Sequence, residues 1–418
     1  MPSFPEYRYQ KLRSGYRIII LERGDPSDNR TLHCRLNHIS SLDDHDYEAL
    51  SYAWGTNTSS NLAEIRCNGL EFWIQPNLEA ALKRLRSPDH KRVIWVDAIC
   101  INQADPSEKA SQVLKMRDIY AKARQVIVWL GDDDESDKEA FDFLNWLATS
   151  LGQNEEEDHV GRRQQWLQIQ REKILEIEHT IALLQRPWFT STWVVQEVAS
   201  AQKAILVYGR KTISWEHFWT ATSRLWDPLF EHSVPLEIFR AQRNIWAIES
   251  AKRSVNGMSV LSLHKILLAT HFNDCSDPRD KIFAVLGLAT DWLEKGGLDP
   301  DYRPTTTAED VFKRYAIWDV KNNRSLRLLS FATGRPETSH MPSWAPDWRI
   351  IYIEDLLAAN RTRTKFSASK DRDPDAWFSD HGRVLNAVGQ VVDTIKVKGP
   401  QARFSILRKM FAMTDEGI

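Results

Sequence analysis

Between residues 47 and 131, short apolar segments alternate with segments that have the period of an amphipathic helix. Strands are predicted at 47–53, 93–97 and 125–130, with a helix between each successive pair. Strands that are joined through helices imply crossover connections and a parallel sheet. Ligands of such a sheet normally bind beyond the carboxyl ends of the strands, and Asp97 lies at one of these ends.

Local turn and capping signals fix several of the boundaries. Residues 16–21 and 32–39 are strand-like and flank a turn-rich segment, which predicts a β-hairpin at an edge of the sheet or as a lid. A second hairpin is predicted around Asn68-Gly69. The run Asp105-Pro106-Ser107-Glu108 predicts a helix start with a capping box and a proline at the first helical position.

The length of 418 residues exceeds that of a typical single domain. We expect three units: an N-terminal hairpin extension (1–46), an α/β domain (47–215) and a mainly helical C-terminal region (216–418). The net charge of −2 gives no global electrostatic signature of nucleic-acid or anionic membrane binding. No run of about 18 apolar residues occurs, so we expect a soluble protein without a membrane span. The four cysteines lack metal-ligand or disulfide-framework spacing, which favours a reducing, cytoplasmic compartment and no metal site.

Trp193 and Glu197 are four residues apart, so on a helix they share one face. Pro187 suits the entrance of a helix, and the hydroxyl residues at 190–192 can each cap one. None of these hydroxyls is followed by Glu or Gln at capping-box spacing, so Glu197 is not a capping-box residue. Two interpretations remain, a solvated helix carboxylate or a carboxylate placed for chemistry.

Three sequence blocks occur in the order of a known family. They are Tyr47-Glu48-Ala49-Leu50-Ser51-Tyr52-Ala53-Trp54-Gly55, Trp95-Val96-Asp97-Ala98-Ile99-Cys100-Ile101-Asn102-Gln103 and Arg186-Pro187-Trp188-Phe189-Thr190-Ser191-Thr192-Trp193-Val194-Val195-Gln196-Glu197. Together they closely resemble the heterokaryon incompatibility (HET) domain of filamentous fungi over roughly 47–200, and the stretches 276–284, 301–302 and 342–348 resemble segments that usually follow it. Ser191 departs from the arginine that the family commonly carries, which puts any anion contact of that arginine in doubt here.

The resemblance implies a role in fungal nonself recognition and programmed cell death. HET domains are remotely similar to TIR domains, so it implies a flavodoxin-like, TIR-like fold with a mostly parallel sheet and flanking helices. The spacing of Trp193 and Glu197 resembles the W-x-x-x-E of the TIR helix, which carries the catalytic glutamate of NAD-cleaving members. The implied activity is an NAD glycohydrolase that self-association switches on. The alternatives are a noncatalytic signalling module that recruits partners and a degenerate or inhibitory family member.

One carboxylate could suffice for this reaction, because nicotinamide leaves as a neutral pyridine and needs no general acid. By analogy with glycosidases, an anion beside the ribose would stabilise an oxocarbenium-like transition state. NAD would be a substrate and not a cofactor, since no glycine-rich dinucleotide loop is present. A protein partner could supply recognition or regulation.

The other candidate residues lie within the three blocks. The predicted catalytic residue is Glu197, and the predicted substrate contacts are Ser51, Tyr52, Trp54, Gly55, Asp97, Asn102 and Trp193. Each has a structural alternative: an aromatic side chain can belong to the core, Gly55 can serve a turn, Asp97 can cap a helix or loop, and Asn102 can bind loop backbone. Cys100 is interpreted as a buried small hydrophobe rather than a nucleophile.

Overall fold

The computed structural model describes residues 5–28, 30–55, 62–132, 135–150, 168–169, 171–225, 236–332, 341–350 and 373–388. A central sheet of nine strands lies in the first half of the chain. The strands are β1 (Tyr16–Leu21), β2 (His33–Ile39), β3 (Glu48–Tyr52), β4 (Ala63–Cys67), β5 (Leu70–Ile74), β6 (Arg92–Trp95), β7 (Gln125–Trp129), β8 (Ala204–Tyr208) and β9 (Lys211–Ser214). Their spatial order is β5-β4-β2-β1-β6-β3-β7-β8-β9.

The centre of the sheet is parallel, as the alternating pattern predicts. Neighbouring strands β6, β3, β7 and β8 all run in the same direction, and antiparallel strands complete both edges. Numbered along the chain, these four strands have the order 2-1-3-4, which is the flavodoxin-like order. The order reverses between β3 and β7, and ligands of such sheets bind at this reversal.

The predicted hairpins are present, but the N-terminal one is not at an edge. β1 pairs with β2 and then with β6, while β2 pairs with β4, so the hairpin lies inside the sheet. The turn at Asn68 and Gly69 has positive φ at both residues, as a two-residue hairpin requires. The expectation of an edge or lid was wrong because the strand pattern shows pairing within the hairpin and not its outer neighbours.

Helices flank the sheet and dominate the described part of the C-terminal region. They are α1 (Pro76–Leu85), α2 (Asp97–Cys100), α3 (Pro106–Lys122), α4 (Glu135–Ser150), α5 (Ile174–Leu184), α6 (Trp193–Ser200), α7 (Trp215–Leu225), α8 (Leu236–Val255), α9 (Leu263–Thr270), α10 (Asp280–Phe283), α11 (Thr290–Lys295) and α12 (Ala308–Asn323). A small hairpin of β10 (Ala376–Ser379) and β11 (Val384–Ala387) follows. The α/β fold with a mainly helical C-terminal region is thus confirmed.

A buried ion pair joins the N-terminal hairpin to α3. Arg17 on β1 donates to both carboxylate oxygens of Glu108, at 2.5 and 2.9 Å, and both side chains are almost fully buried. Asp105 caps α3 by accepting from the amides of Ser107 and Glu108. The predicted capping box is only half formed, because Glu108 turns to Arg17 and to the amide of Asn102 instead of reaching back to the cap.

We expect Glu108→Ala to lower the free energy of unfolding by about 3–5 kcal/mol, because it leaves the buried guanidinium of Arg17 without its counter-ion. Urea denaturation followed by circular dichroism measures this change. The matched control is Asp46→Ala, which removes an exposed ion pair with Arg124 and should cost less than about 1 kcal/mol. Equal, small losses in both variants would contradict the structural role assigned to Glu108.

Candidate functional site

The segment before α6 places Trp193 as the first residue of the helix. Pro187 begins a separate single-turn 3-10 helix that ends at Thr190, and Ser191 is extended. Ser191 and Asp274 form an isolated parallel bridge, in which the amide of Thr192 donates to the Asp274 carbonyl at 2.9 Å. None of the three hydroxyl side chains caps α6, contrary to the prediction: the Thr192 hydroxyl also donates to the Asp274 carbonyl. A neighbouring loop, distant in sequence, therefore takes the place of a local cap.

The carboxyl group of Glu197 is buried, with 4% of the residue exposed. Burial, assisted by the charge of Asp97, raises the pKa of Glu197 from 4.5 to about 8, and the nearby hydroxyls of Ser51 and Tyr120 only partly oppose this shift. Its Oε2 atom has no hydrogen-bond partner among the described residues. The solvated interpretation is therefore wrong, and Glu197 is a buried, largely protonated acid at neutral pH.

Asp97 lies beyond the carboxyl end of β6, where the sheet pattern places it. One of its oxygens accepts from the indole nitrogen of Trp54 at 2.9 Å, and the other accepts from the amide of Ala98 at 2.7 Å. Burial raises the pKa of Asp97 to about 6 despite these hydrogen bonds. Asp97, which is half-buried, and the buried Glu197 come from different blocks, and they lie close enough for the charge of Asp97 to raise the pKa of Glu197.

Three hydroxyl groups surround the carboxylates. Tyr52 is buried at the end of β3, and burial together with the charges of Asp97 and Glu197 raises its pKa well above 10. Tyr120 on α3 has its pKa raised in the same way, and its hydroxyl donates to the carbonyl of Leu50 at 3.3 Å. The Ser51 hydroxyl accepts from the indole of Trp188 at 2.9 Å. Tyr120 was not among the predicted site residues, because an apolar helix stripe marks it only as core.

The indole of Trp193 is bound to a residue of the C-terminal region. Its Nε1 donates to Asp280 at 3.1 Å, and the other oxygen of Asp280 accepts from the Tyr302 hydroxyl at 2.5 Å. Burial raises the pKa of Asp280 to about 6. Asp280 lies in the stretch 276–284 that the sequence marked only as a segment following the domain, so its contact with Trp193 was missed.

Further polar contacts from the C-terminal region hold the start of α6. Asn244 on α8 donates to the carbonyls of Phe189 and Ser191 at 2.9 and 3.1 Å. Asn273 donates in turn to the Asn244 side-chain oxygen at 2.6 Å. Both asparagines are fully buried. These hydrogen bonds are strong constraints, because an unpaired buried amide would cost about 1–3 kcal/mol.

Two predicted contacts have other surroundings. Gly55 is exposed with φ at +78°, and nothing lies within 4 Å of the position that a Cβ atom would occupy there. The Asn102 side chain accepts from the amide of Ala104 at 3.2 Å, which is the loop-binding alternative.

Cys100 is buried and its pKa is raised to about 12 by burial, which agrees with a small core residue. Within the described ranges, no group of three or more His, Cys, Asp or Glu side chains is arranged to hold a metal ion.

The fold and this site define a flavodoxin-like α/β domain in which Asp97, beyond the carboxyl end of β6, interacts electrostatically with the buried Glu197 on α6. The family model of heterokaryon incompatibility protein (HET) matches residues 47–197, from the residue before β3 to Glu197 itself. Residues 47–197 are therefore similar to the HET domain, as the three sequence blocks predict.

A curated relative matches most of the chain. The chain is 26% identical to heterokaryon incompatibility protein 6, OR allele, of Neurospora crassa, over 87% of this chain and 62% of the relative. The chain thus spans about three fifths of the length of that relative. No solved structure matches the chain. Among the described helices, none combines the length and apolar character needed to cross a bilayer.

We expect the stability difference between Glu197→Gln and the unmodified protein to depend on pH. Between pH 4.5 and 8 the folded state binds the Glu197 proton more tightly than the unfolded state, so its contribution to stability falls as pH rises. Glutamine has the shape and neutral charge of the protonated acid but does not ionise, so the stability of the variant does not fall with pH in this way. The variant should gain roughly 1–3 kcal/mol relative to wild type between pH 5 and pH 9.

Urea unfolding at the two pH values measures this difference, and Glu216→Gln on the exposed side of α7 is the control. The control should show no comparable pH-dependent gain. A constant difference between wild type and Glu197→Gln across the range would show that the pKa of Glu197 is not raised.

Proposed function

We propose that the protein acts in heterokaryon incompatibility as a cell-death effector, and that its HET domain hydrolyses NAD through Glu197. The family match and the Neurospora relative support the incompatibility role. The observation that carries the enzymatic part is the buried Glu197 carboxyl group, which has an unpartnered oxygen beside Asp97. In a structural ion-pair network, a buried carboxylate oxygen usually has a hydrogen-bond partner. In active sites, buried carboxyl groups often have unpaired oxygens and shifted pKa values.

The reaction breaks the bond between the ribose C1′ and the nicotinamide nitrogen. The bonding electrons leave with nicotinamide, and water adds to C1′ with release of a proton, which gives ADP-ribose. Glu197 in its ionised form would stabilise the positive charge that develops on the ribose. The apolar surroundings strengthen this interaction, because the same charge would be screened in water.

The raised pKa of Glu197 fits a cationic substrate. In the free protein the carboxyl group is mostly protonated at pH 7, since its pKa is about 8. A positively charged nicotinamide ring beside it favours the ionised form and lowers that pKa. Binding of NAD would thus generate the catalytic anion. Asp97, held by the Trp54 indole, provides a second negative charge in the same site.

The alternative is a noncatalytic module, in which the blocks build a surface for self-association and recruitment. Self-association on activation is compatible with both proposals, because clustering could order an active site or create a platform. The effect of replacing Glu197 distinguishes the hydrolase from the noncatalytic module. Catalysis requires its charge, whereas a buried structural acid with a pKa near 8 would already be neutral and would tolerate glutamine.

We expect Glu197→Gln to abolish nicotinamide release from NAD while the fold is retained. A loss of at least about 100-fold is expected for removal of the group that stabilises the transition state. Purified full chain at high concentration, with and without forced clustering, is assayed by chromatography of nicotinamide and ADP-ribose. Glu216→Gln is the matched control and should retain full activity. Equal release by wild type and Glu197→Gln would overturn this role of Glu197, and no release by clustered wild type would favour the noncatalytic module.

We expect kcat/KM for NAD to rise with pH and to level off above about pH 8, because the active form of free Glu197 is ionised. The midpoint of the pH profile of kcat should lie at lower pH than that of kcat/KM, because the bound cationic ring favours the ionised form of Glu197. Asp97→Asn should move the kcat/KM midpoint to lower pH, because it removes the charge that helps to raise the pKa of Glu197. A midpoint near pH 4.5 in the wild-type protein would contradict this assignment.

A further inference from the structure

Lys109 on α3 is half-buried and packs against the C-terminal region. Its ammonium group is 4.2 Å from the centroid of the Tyr302 ring. Among the described residues it makes no hydrogen bond or ion pair. Lys83 and Lys122 on flanking helices pair with carboxylates, Glu79 and Asp43 respectively, whereas Lys115 on α3 donates to the carbonyl of Gly15.

The location of Lys109 is unfavourable for the helix that carries it. It is the fourth residue of α3, so its charge lies in the first turn, where the helix dipole is positive. A cation in this turn weakens the helix by a few tenths of a kcal/mol. Its half-buried side chain packs on an aromatic ring. Helix stability therefore does not explain a lysine at this position.

The ammonium group acts on the acids on both sides of the site. Its charge partly opposes the rise in pKa that burial causes at Asp97, which neighbours Glu197, and at Asp280, which binds the Trp193 indole, and it also helps to lower the pKa of Asp277. It lies in the same electrostatic neighbourhood as these carboxylates without forming a salt bridge to any of them. The site thus combines the Lys109 cation, which forms no salt bridge among the described residues, with an unpartnered carboxylate oxygen of Glu197.

We propose that Lys109 binds the diphosphate of the dinucleotide substrate. This inference rests on the proposed function and specifies how the substrate is held. A dinucleotide such as NAD has a cationic nicotinamide end and an anionic diphosphate, and the site offers carboxylates for the first and an ammonium for the second. Charge-assisted hydrogen bonds from lysine to phosphate are among the stronger polar contacts. Arg279 cannot replace it, because its guanidinium is already bound to Asp277 and to three backbone carbonyls.

The test compares Lys109→Ala, Lys109→Arg and the control Lys122→Ala in the full chain. Lys109→Ala should raise KM for NAD and weaken binding of ADP-ribose by calorimetry, each about tenfold, the size of a lost charge-assisted contact. Its kcat should stay within about twofold, because the diphosphate takes no part in bond breaking. Lys109→Arg should restore most of the affinity. Binding of nicotinamide riboside, which has no phosphate, should be unchanged in all variants.

The outcomes separate this inference from the proposed function. Cleavage of NAD by wild type with an unchanged KM in Lys109→Ala would overturn the role of Lys109 and leave the hydrolase intact. Binding of ADP-ribose that depends on Lys109, without any cleavage of NAD, would support diphosphate binding by Lys109 and overturn the proposed NAD hydrolysis. Wild-type protein that neither cleaves NAD nor binds ADP-ribose would overturn both.

Discussion

Burial of the Glu197 carboxyl group is the constraint on which the rest of the site depends. An ionised carboxylate away from water costs several kcal/mol unless it is paired, so the folded protein holds this group largely protonated. The cost is higher because Asp97 lies near it and favours the same neutral state. A positively charged ligand lowers the free-energy cost of ionising both acids. The two carboxylates therefore favour cationic ligands through the free energy of their own ionisation.

The geometry of α6 depends on the C-terminal region as much as on the sheet. Asn244 and Asp274 fix the turn before the helix, and Asp280 fixes the Trp193 indole one turn from Glu197. Segments far apart in sequence thus complete the site, although the blocks that define the family end at Glu197. A change in how α8 or α10 packs would act directly on the position of the helix turn that carries Trp193 and Glu197. The boundary near residue 215 stays a prediction of sequence organisation.

Local signals were sufficient to predict the strands, hairpins and main helices between residues 16 and 131, because period, turn residues and the cap at Asp105 act over a few residues. They placed Asp97 at a strand end and Trp193 and Glu197 on one helix face. They could not predict the inner position of the first hairpin, the pairing of Glu108 with Arg17, or the contact between Trp193 and Asp280, since each depends on residues far apart in the chain. Tyr120 and Lys109 were missed for the same reason: Tyr120 on α3 lies near Glu197 on α6, and Lys109 packs on Tyr302, far from it in sequence.

Ser191 illustrates how a departure from a family pattern can be weighed against geometry. Its carbonyl accepts hydrogen bonds from Asn244 and Asn273, and its backbone forms the bridge to Asp274. These contacts use only the main chain, so they do not require an arginine side chain at this position. What the substitution removes is a positive charge close to the start of α6. In the proposed function, Lys109 on α3 is the cation that meets an anionic ligand, and no arginine at position 191 shares that role.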